Sequence, residues 1–296
     1  MHNDQLTITE AQARSLIAAQ FPQFRGQEIR CLETAGTVNA IFRIGERYAA
    51  RVPLRFMNPA DCLRNLEQET EASREFHECC PFPSPAPVGI GRQGAGFPMP
   101  WLVQTWIDGD IATPGGLSAS PDFARDLARL ICELRRVDLK GRTFSGPGRG
   151  GKLTDHDDWM EVCFVKSENL LDVAHLRRLW RRLRALPPSR ADAMSHKDLI
   201  PTNLVVLKGR LIGVLDTGGF GPADRALDLV AGWHLMNRDA RTIFREALEV
   251  DDVEWQRGAA WAFQQAIGLV WYYKDTNPVM ADLGRSTLSR LVEDEP

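Results

Sequence analysis

The spacing of apolar positions changes near residue 121. Before it, Thr9-Glu10-Ala11-Gln12 forms a capping-box pattern, and Ala13, Leu16, Ile17 and Phe21 continue an apolar stripe to Pro22, which predicts a first helix. Residues 29–32, 40–44 and 48–52 alternate or cluster in β fashion between Gly36 and Gly45, and predict an antiparallel meander. Residues 60–77, rich in Glu, Arg and other helix formers, predict a second helix. Pro81, Pro83, Pro85 and Pro87 make a stiff link into a strand around 99–107, bounded by Pro100 and Gly109.

From Pro121 the pattern is helical. Phe123, Leu127, Leu130, Ile131 and Leu134 fall on one face, and Leu176, Leu179, Trp180 and Leu183 repeat that spacing inside an arginine-rich stretch whose charges read as a solvated face. The glycine-rich segment 141–151 reads as a loop; no strand leads into it, so it is set aside as a phosphate cradle. Residues 204–207, a Lys208-Gly209-Arg210 turn and residues 211–215 predict a hairpin. Residues 227–236 and 239–247 predict helices, and Asp251-Asp252-Val253-Glu254 caps another that carries Trp261, Phe263, Ile267, Leu269 and Trp271. Strands in front and helices behind imply an α+β chain with a small antiparallel β lobe and a mostly helical large lobe.

Composition narrows the classes. At 296 residues the chain exceeds one ordinary core, and 44% hydrophobic with 25% charged residues is enough apolar material to fill two lobes. A net charge of −3 with pI near 6.1 argues against nucleic acid as a partner, which would require a basic face. Six cysteines lack any Cys-x-x-Cys spacing and read as reduced thiols. The polar start and the absence of a long apolar run predict a cytoplasmic protein with no membrane partner; oligomeric state stays open.

The chemistry concentrates in Ser195-His196-Lys197-Asp198-Leu199-Ile200-Pro201-Thr202-Asn203 and in Gly213-Val214-Leu215-Asp216-Thr217-Gly218-Gly219. The intervening hairpin lets Asp198, Asn203 and Asp216 converge. An alcohol attacking a γ-phosphoryl group needs its proton accepted, and the triphosphate needs Mg²⁺ held by hard oxygens, so one carboxylate suits the first task and a carboxamide with a second carboxylate suits the other. Taken singly, each of these residues could merely cap a turn.

The order His-x-Asp-x-x-x-x-Asn followed by Asp-x-Gly resembles the catalytic and metal loops of protein kinases, and more closely those of the aminoglycoside phosphotransferase superfamily. Gly221-Pro222-Ala223-Asp224-Arg225-Ala226-Leu227-Asp228-Leu229-Val230-Ala231-Gly232-Trp233 is similar to that family's continuation, and the resemblance extends over nearly the whole chain. It implies a two-lobed protein-kinase-like fold, with a nucleotide-binding lobe at 1–106, a hinge at 105–108 and a catalytic and substrate-binding helical lobe at 107–296. It also implies the substrates: ATP or GTP with Mg²⁺, and a small hydroxyl-bearing molecule.

Residue by residue, the resemblance implies Asp198 as the base and Asn203 and Asp216 as metal ligands. Arg51 occupies the strand position of the kinase lysine and would touch the α- and β-phosphates, its alternative being an arginine paired on a strand surface. Glu69 would orient Arg51, with Glu67, Glu71 and Glu75 as neighbours on the same helix. The turn at Gly36 and Thr37 would lie over the phosphates, although one glycine alone reads as an ordinary hairpin turn. Thr105 and Ile107 would bind adenine through their main chains. Lys197 stands where the family commonly has Gly, and Thr217 where it often has an aromatic residue. Asp224 and Asp228 would brace loop backbone, and Asp155, Asp157 and Asp158 are candidates for an acidic pocket. An aminoglycoside or other antibiotic is the first substrate reading. A metabolic kinase of choline, homoserine, methylthioribose or a sugar-like compound is the second, and a catalytically inactive nucleotide-binding module the third.

Overall fold

The protein, seen here as a computed structural model, is described over residues 5–32, 39–188 and 191–294; Gly36 and Thr37 lie outside them. The chain divides into two compact units, Met1–Glu78 with Ser84–Asp108, and Cys79–Pro83 with Gly109–Pro296.

The first unit begins with α1 (Glu10–Gln20), whose capping box forms as the sequence predicts: the Thr9 side chain accepts from the Gln12 amide and the Gln12 side chain from the Thr9 amide. β1 (Ile29–Leu32), β2 (Asn39–Ile44) and β3 (Tyr48–Pro53) form the antiparallel meander. α2 (Pro59–Cys79) follows, then β4 (Pro87–Gly91) and β5 (Trp101–Thr105), giving the sheet order β1-β2-β3-β5-β4. β4 replaces part of the predicted proline-dense link. Its composition, Pro-Val-Gly-Ile-Gly, hides it from a propensity reading, and Pro87 is tolerated because β4 is an edge strand. Phe42, Ile44, Trp101 and Val103 from the sheet, with Met99 just before β5, bury against Leu16, Ile17 and Phe21 of the helical start. Each such side chain removed from water contributes about 1.5–3 kcal/mol.

In the second unit β6 (Asp110–Ile111) precedes α3 (Pro121–Arg136), where Ser120 caps the Phe123 amide and Phe123, Leu127, Leu130, Ile131 and Leu134 are buried as their spacing predicts. α4 (Asp157–Ser167) and α5 (Val173–Arg184) come next; α5 buries Leu176, Leu179, Trp180 and Leu183. Then β7 (Asp192–Ser195), β8 (Leu204–Leu207), β9 (Arg210–Val214) and β10 (Gly221–Asp224) form two small sheets, β6-β8-β9 and β10-β7. β7 and β10, Asp-Ala-Met-Ser and Gly-Pro-Ala-Asp, carry no strand pattern of their own and exist through mutual pairing. The predicted helix at 227–236 is a tight turn at Leu227–Val230 followed by α6 (Ala231–Leu235). α7 (Arg238–Leu248), α8 (Asp252–Tyr272) and α9 (Pro278–Glu293) complete the unit, with the largely buried α8 packed among α4, α5 and α9.

The β8–β9 hairpin is fixed from outside. Asp126 of α3 is buried and accepts from Arg210 Nε at 2.7 Å, Arg210 Nη2 at 2.6 Å and the Leu211 amide at 3.2 Å, which locks the hairpin turn to α3.

Candidate functional site

The loop from β7 to β8 carries the first motif. Its entry is held by Asp228, which is buried and accepts the His196 amide at 2.8 Å on Oδ2 and the Lys197 amide at 2.9 Å on Oδ1. Asp228 therefore braces loop backbone, as the sequence implies. Lys197 takes a left-handed backbone, φ 72°, and its amide also reaches Ser195 Oγ at 3.1 Å. His196 is a structural link. Its Nδ1 accepts from the Asp198 amide at 3.3 Å and its Nε2 faces the Leu215 carbonyl at 2.9 Å, so the tautomer protonated on Nε2 satisfies both.

The three predicted polar residues come together. Asn203 Nδ2 donates to the Asp198 carbonyl at 2.9 Å and to Asp198 Oδ2 at 3.0 Å. With its nitrogen committed, the carboxamide oxygen is what Asn203 can offer a cation. The Leu215 amide donates to the Asn203 carbonyl at 2.8 Å, which sets Asp216, the next residue, beside the same loop. Asp216 has φ 53°, a left-handed turn that ends the hairpin and points the chain into the short turn Thr217–Gly219. One carboxylate and one carboxamide oxygen match the modest protein share of a Mg²⁺ octahedron.

Asp198 and Asp216 line a cavity of about 390 Å³, together with His196, Lys197 and the stretch from Phe144 to Arg149. The glycine-rich segment, a loop as the sequence predicts, supplies one wall of the cavity. It is tied down at both ends, by the Phe144 amide on Asp192 Oδ2 at 2.7 Å and by the Asp224 amide on the Gly150 carbonyl at 2.6 Å. Gly150 has φ 116°, and a Cβ there would stand 2.7 Å from the Ala223 Cβ, so glycine is required for the approach.

Arg149 of that wall donates to Asp198 Oδ1 at 2.8 Å, a contact no motif announces. Lys197 stands nearby, its Nζ 5.9 Å from the Phe144 ring centre; burial pulls its pKa down, with Asp228 and Asp192 opposing. The candidate acidic pocket does not form part of the wall. Asp157 is held by Arg184, with Nε to Oδ1 at 2.7 Å, and Asp155 and Asp158 are exposed. Asp224 is deeply buried and accepts from Trp261 Nε1 at 2.8 Å and Arg257 Nε at 3.0 Å, a bracing role. A larger groove of about 870 Å³ beside Trp233 and Trp255 contains none of these residues, and three of its arginines are paired with acids: Arg238 and Arg241 meet Asp294 at 3.7 and 2.8 Å, and Arg245 pairs with Asp252.

In the first unit Arg51 lies on β3, half-buried, paired across the sheet with Ile41 and Leu102. On α2 the buried positions Cys62, Leu66, Thr70, Ser73 and Phe76 define the inner face; Glu69 and Glu75 are half-buried beside it, whereas Glu67 and Glu71 are exposed. Burial and then the Glu69 carboxylate push the Cys62 thiol pKa up. The Thr105 amide is spent on the Ala86 carbonyl at 2.9 Å and the Trp106 amide on the Arg47 carbonyl at 2.8 Å, leaving the Thr105 carbonyl and the Ile107 amide as the main-chain groups on offer. Asp108 braces the segment by accepting from Arg43 at 3.0 Å and Trp106 Nε1 at 2.8 Å.

An aspartate bound by an asparagine, a second aspartate behind a hairpin, and an antiparallel β unit followed in sequence by a helical one define a kinase-like, two-lobed α+β protein. A profile of the phosphotransferase enzyme family matches residues 34–261, and the chain belongs to that family. An aminoglycoside 3'-phosphotransferase of Escherichia coli is 27% identical over 144 residues, covering 46% of this chain and 52% of that protein. The chain thus matches about half the length of that curated relative. Among solved structures, the GDP complex of aminoglycoside 2'-phosphotransferase-IIIa superposes with a TM-score of 0.70 at 15% identity, covering 97% of this chain and 100% of that one. A macrolide 2'-phosphotransferase from Brachybacterium faecium gives a TM-score of 0.62 at 15% identity, covering 94% and 97%. At such identities these likenesses carry the fold alone, and the fold they carry is the kinase-like one the motifs imply.

Proposed function

We propose that the protein transfers the γ-phosphoryl group of ATP or GTP to a hydroxyl of a small molecule. The observation that carries this reading is the double hydrogen bond from Asn203 to Asp198, at 2.9 and 3.0 Å, with Asp216 anchored beside it through Leu215. A binding module has no use for a carboxylate held at that spot. Asp198 orients the acceptor hydroxyl and takes its proton as the new O–P bond forms and the bond to the nucleoside diphosphate breaks. Asn203 and Asp216 hold Mg²⁺, which when bound neutralises phosphate charge. Arg51 steadies the α- and β-phosphates and Glu69 orients Arg51. The Thr105 carbonyl and Ile107 amide receive the base. We assign nucleotide binding to residues 1–106 and catalysis with acceptor binding to 107–296.

The relatives' names favour an antibiotic acceptor of the aminoglycoside or macrolide kind. A metabolic hydroxyl compound such as choline, homoserine, methylthioribose or a sugar is the second reading. A cytoplasmic location fits a nucleotide-consuming enzyme; among the described residues no helix is long and apolar enough to cross a membrane. The test is nucleoside diphosphate release with Mg²⁺ across aminoglycosides, macrolides, choline, homoserine and sugars, beside Asp198→Ala. Acceptor-dependent turnover that collapses in the variant is the expected result. Absence of nucleotide binding would overturn the reading.

A further inference from the structure

We propose that Arg149 sets the preference for the acceptor over water: by holding Asp198 Oδ1 it keeps the base from activating water, and a molecule bound well enough to take its place gains the base. This role rests on the phosphotransferase reading above, in which Asp198 takes the proton of the attacking hydroxyl. The two oxygens of that carboxylate are held differently. Oδ2 receives Asn203 Nδ2 at 3.0 Å, and the same nitrogen donates to the Asp198 carbonyl at 2.9 Å, so this contact belongs to the catalytic loop itself. Oδ1 receives Arg149 Nη2 at 2.8 Å, from a segment 49 residues away. Oδ1 is the oxygen left for an attacking hydroxyl, and the guanidinium stands on it.

Exposure separates this pair from the ones that lock elements together. The Asp126 and Asp224 carboxylates, bound by Arg210 and Arg257, are 6% and 3% exposed. The Arg149 and Asp198 side chains are 36% and 32% exposed and both line the cavity. An ion pair so close to solvent is weak enough for a bound substrate to displace. The segment that carries Arg149 is also able to yield. Residues 145–148 are exposed and make no main-chain hydrogen bond among the described residues, and a Cβ on Gly146 or Gly148 would meet nothing within 4 Å. Movement is confined to that stretch, because the Phe144 amide is tied to Asp192 and the Gly150 carbonyl to the Asp224 amide. The Phe144 ring also lies 5.9 Å from Lys197 Nζ, whose charge is answered by Asp228 and Asp192. A single water has no further contacts with which to offset the lost ion pair. An acceptor seated in the cavity does, and its binding energy elsewhere is what opens access to the base.

Two measurements on the full chain test this, and neither needs the acceptor. The first is hydrolysis of ATP or GTP with Mg²⁺ alone, in which a water oxygen attacks the γ-phosphorus, Asp198 takes the proton, and the bond to the nucleoside diphosphate breaks to release inorganic phosphate. Arg149→Gln should raise this rate about two- to fivefold, the range that loss of an exposed ion pair commands. Arg149→Lys, which keeps a cation, should raise it less, and adding Asp198→Asn to Arg149→Gln should abolish the rise. Hydrolysis unchanged or lowered in Arg149→Gln would overturn the proposal while leaving the phosphotransferase reading intact, since Arg149 would then position the base or serve the transferring phosphoryl group. A rise that survives Asp198→Asn would also overturn it, because it would not pass through the base. The second is modification of Arg149 by phenylglyoxal, followed by mass spectrometry and expressed relative to Arg177, which Glu161 holds on the far side of α4 and α5. The ratio should rise several-fold in Asp198→Ala, and an unchanged ratio would overturn the proposal even if nucleotide binding failed and the phosphotransferase reading with it.

Discussion

Replacing Asp228 by Asn separates the bracing of the catalytic loop from its chemistry. The carboxylate is 3% exposed and accepts two main-chain amides, at 2.8 and 2.9 Å. A carboxamide of the same shape keeps one oxygen. Turned toward His196, it presents its NH₂ to the Lys197 amide, which then falls back on Ser195 Oγ at 3.1 Å. One charge-assisted bond, worth about 1.5–3 kcal/mol, is lost outright and the other becomes neutral at a cost of roughly 1 kcal/mol, so local stability falls by about 2–4 kcal/mol. Because the chain has two compact units, the effect is read locally, as hydrogen exchange at the His196 and Lys197 amides. Exchange should accelerate by about 30- to 1,000-fold. Adding Ser195→Ala should cost more in the Asn background than in wild type, because the fallback bond is then the one in use. Exchange altered less than about fivefold, corresponding to under 1 kcal/mol, would show that the loop is not held by Asp228.

Asp198→Asn should lower acceptor-dependent turnover by about 10²–10⁴-fold with nucleotide binding retained, and a smaller loss in steady-state kinetics would remove Asp198 as the base. Gly150→Ala should destabilise by about 1–3 kcal/mol in thermal unfolding, because it combines a φ of 116° with a Cβ 2.7 Å from Ala223. Gly148→Ala, with nothing within 4 Å of its Cβ, should change stability by no more than about 0.5 kcal/mol. Burial lowers the His234 pKa from 6.5 to about 4, so the folded state resists a proton that the unfolded chain accepts. Its contribution is complete above pH 6.5 and declines by about 1.4 kcal/mol per pH unit toward pH 4. Urea titrations at pH 7 and 4.5 should therefore show a smaller acid loss in His234→Gln than in wild type, and equal losses would contradict the buried neutral imidazole.

The β8–β9 hairpin was legible because two apolar, β-branched runs flank Lys208-Gly209, and its two ends necessarily bring Asp198, Asn203 and Asp216 near one another. The helix α2 was legible too. Which of its glutamates faces inward was not: the resemblance alone favours Glu69, and the fold, with Cys62, Leu66, Thr70, Ser73 and Phe76 buried, leaves both Glu69 and Glu75 half-buried and Glu67 and Glu71 exposed. What stayed hidden depends on partners far along the chain. β7 and β10 have no propensity and arise from pairing Ser195 with Gly221 and Asp192 with Asp224. Arg149 is one arginine in a run of glycines, and only tertiary closure brings it to Asp198, 49 residues away. Asp157 looked available for a substrate until Arg184, one helix later, took both its oxygens.

The bonds around the hairpin close a loop of constraint that explains why so few residues can set the geometry. His196 Nε2 donates to the Leu215 carbonyl at 2.9 Å, the Leu215 main-chain amide donates to the Asn203 carbonyl at 2.8 Å, and the Asn203 side-chain Nδ2 donates to the Asp198 carbonyl at 2.9 Å and to Asp198 Oδ2 at 3.0 Å. Starting from His196, the path returns to Asp198, two residues on, whose own amide bonds His196 Nδ1 at 3.3 Å. Any one of these groups can move only by breaking a bond to another, and Asp228 fixes the point where the path enters from β7. Rate gained from positioning requires reacting groups held to within a fraction of an ångström, which a flexible loop does not provide. The same closure places the demand for a histidine on its two-sided imidazole rather than on proton transfer. His196→Asn should therefore loosen the loop and Asp216 together, and a variant that changes exchange at Asp198 without changing it at Asp216 would break the argument.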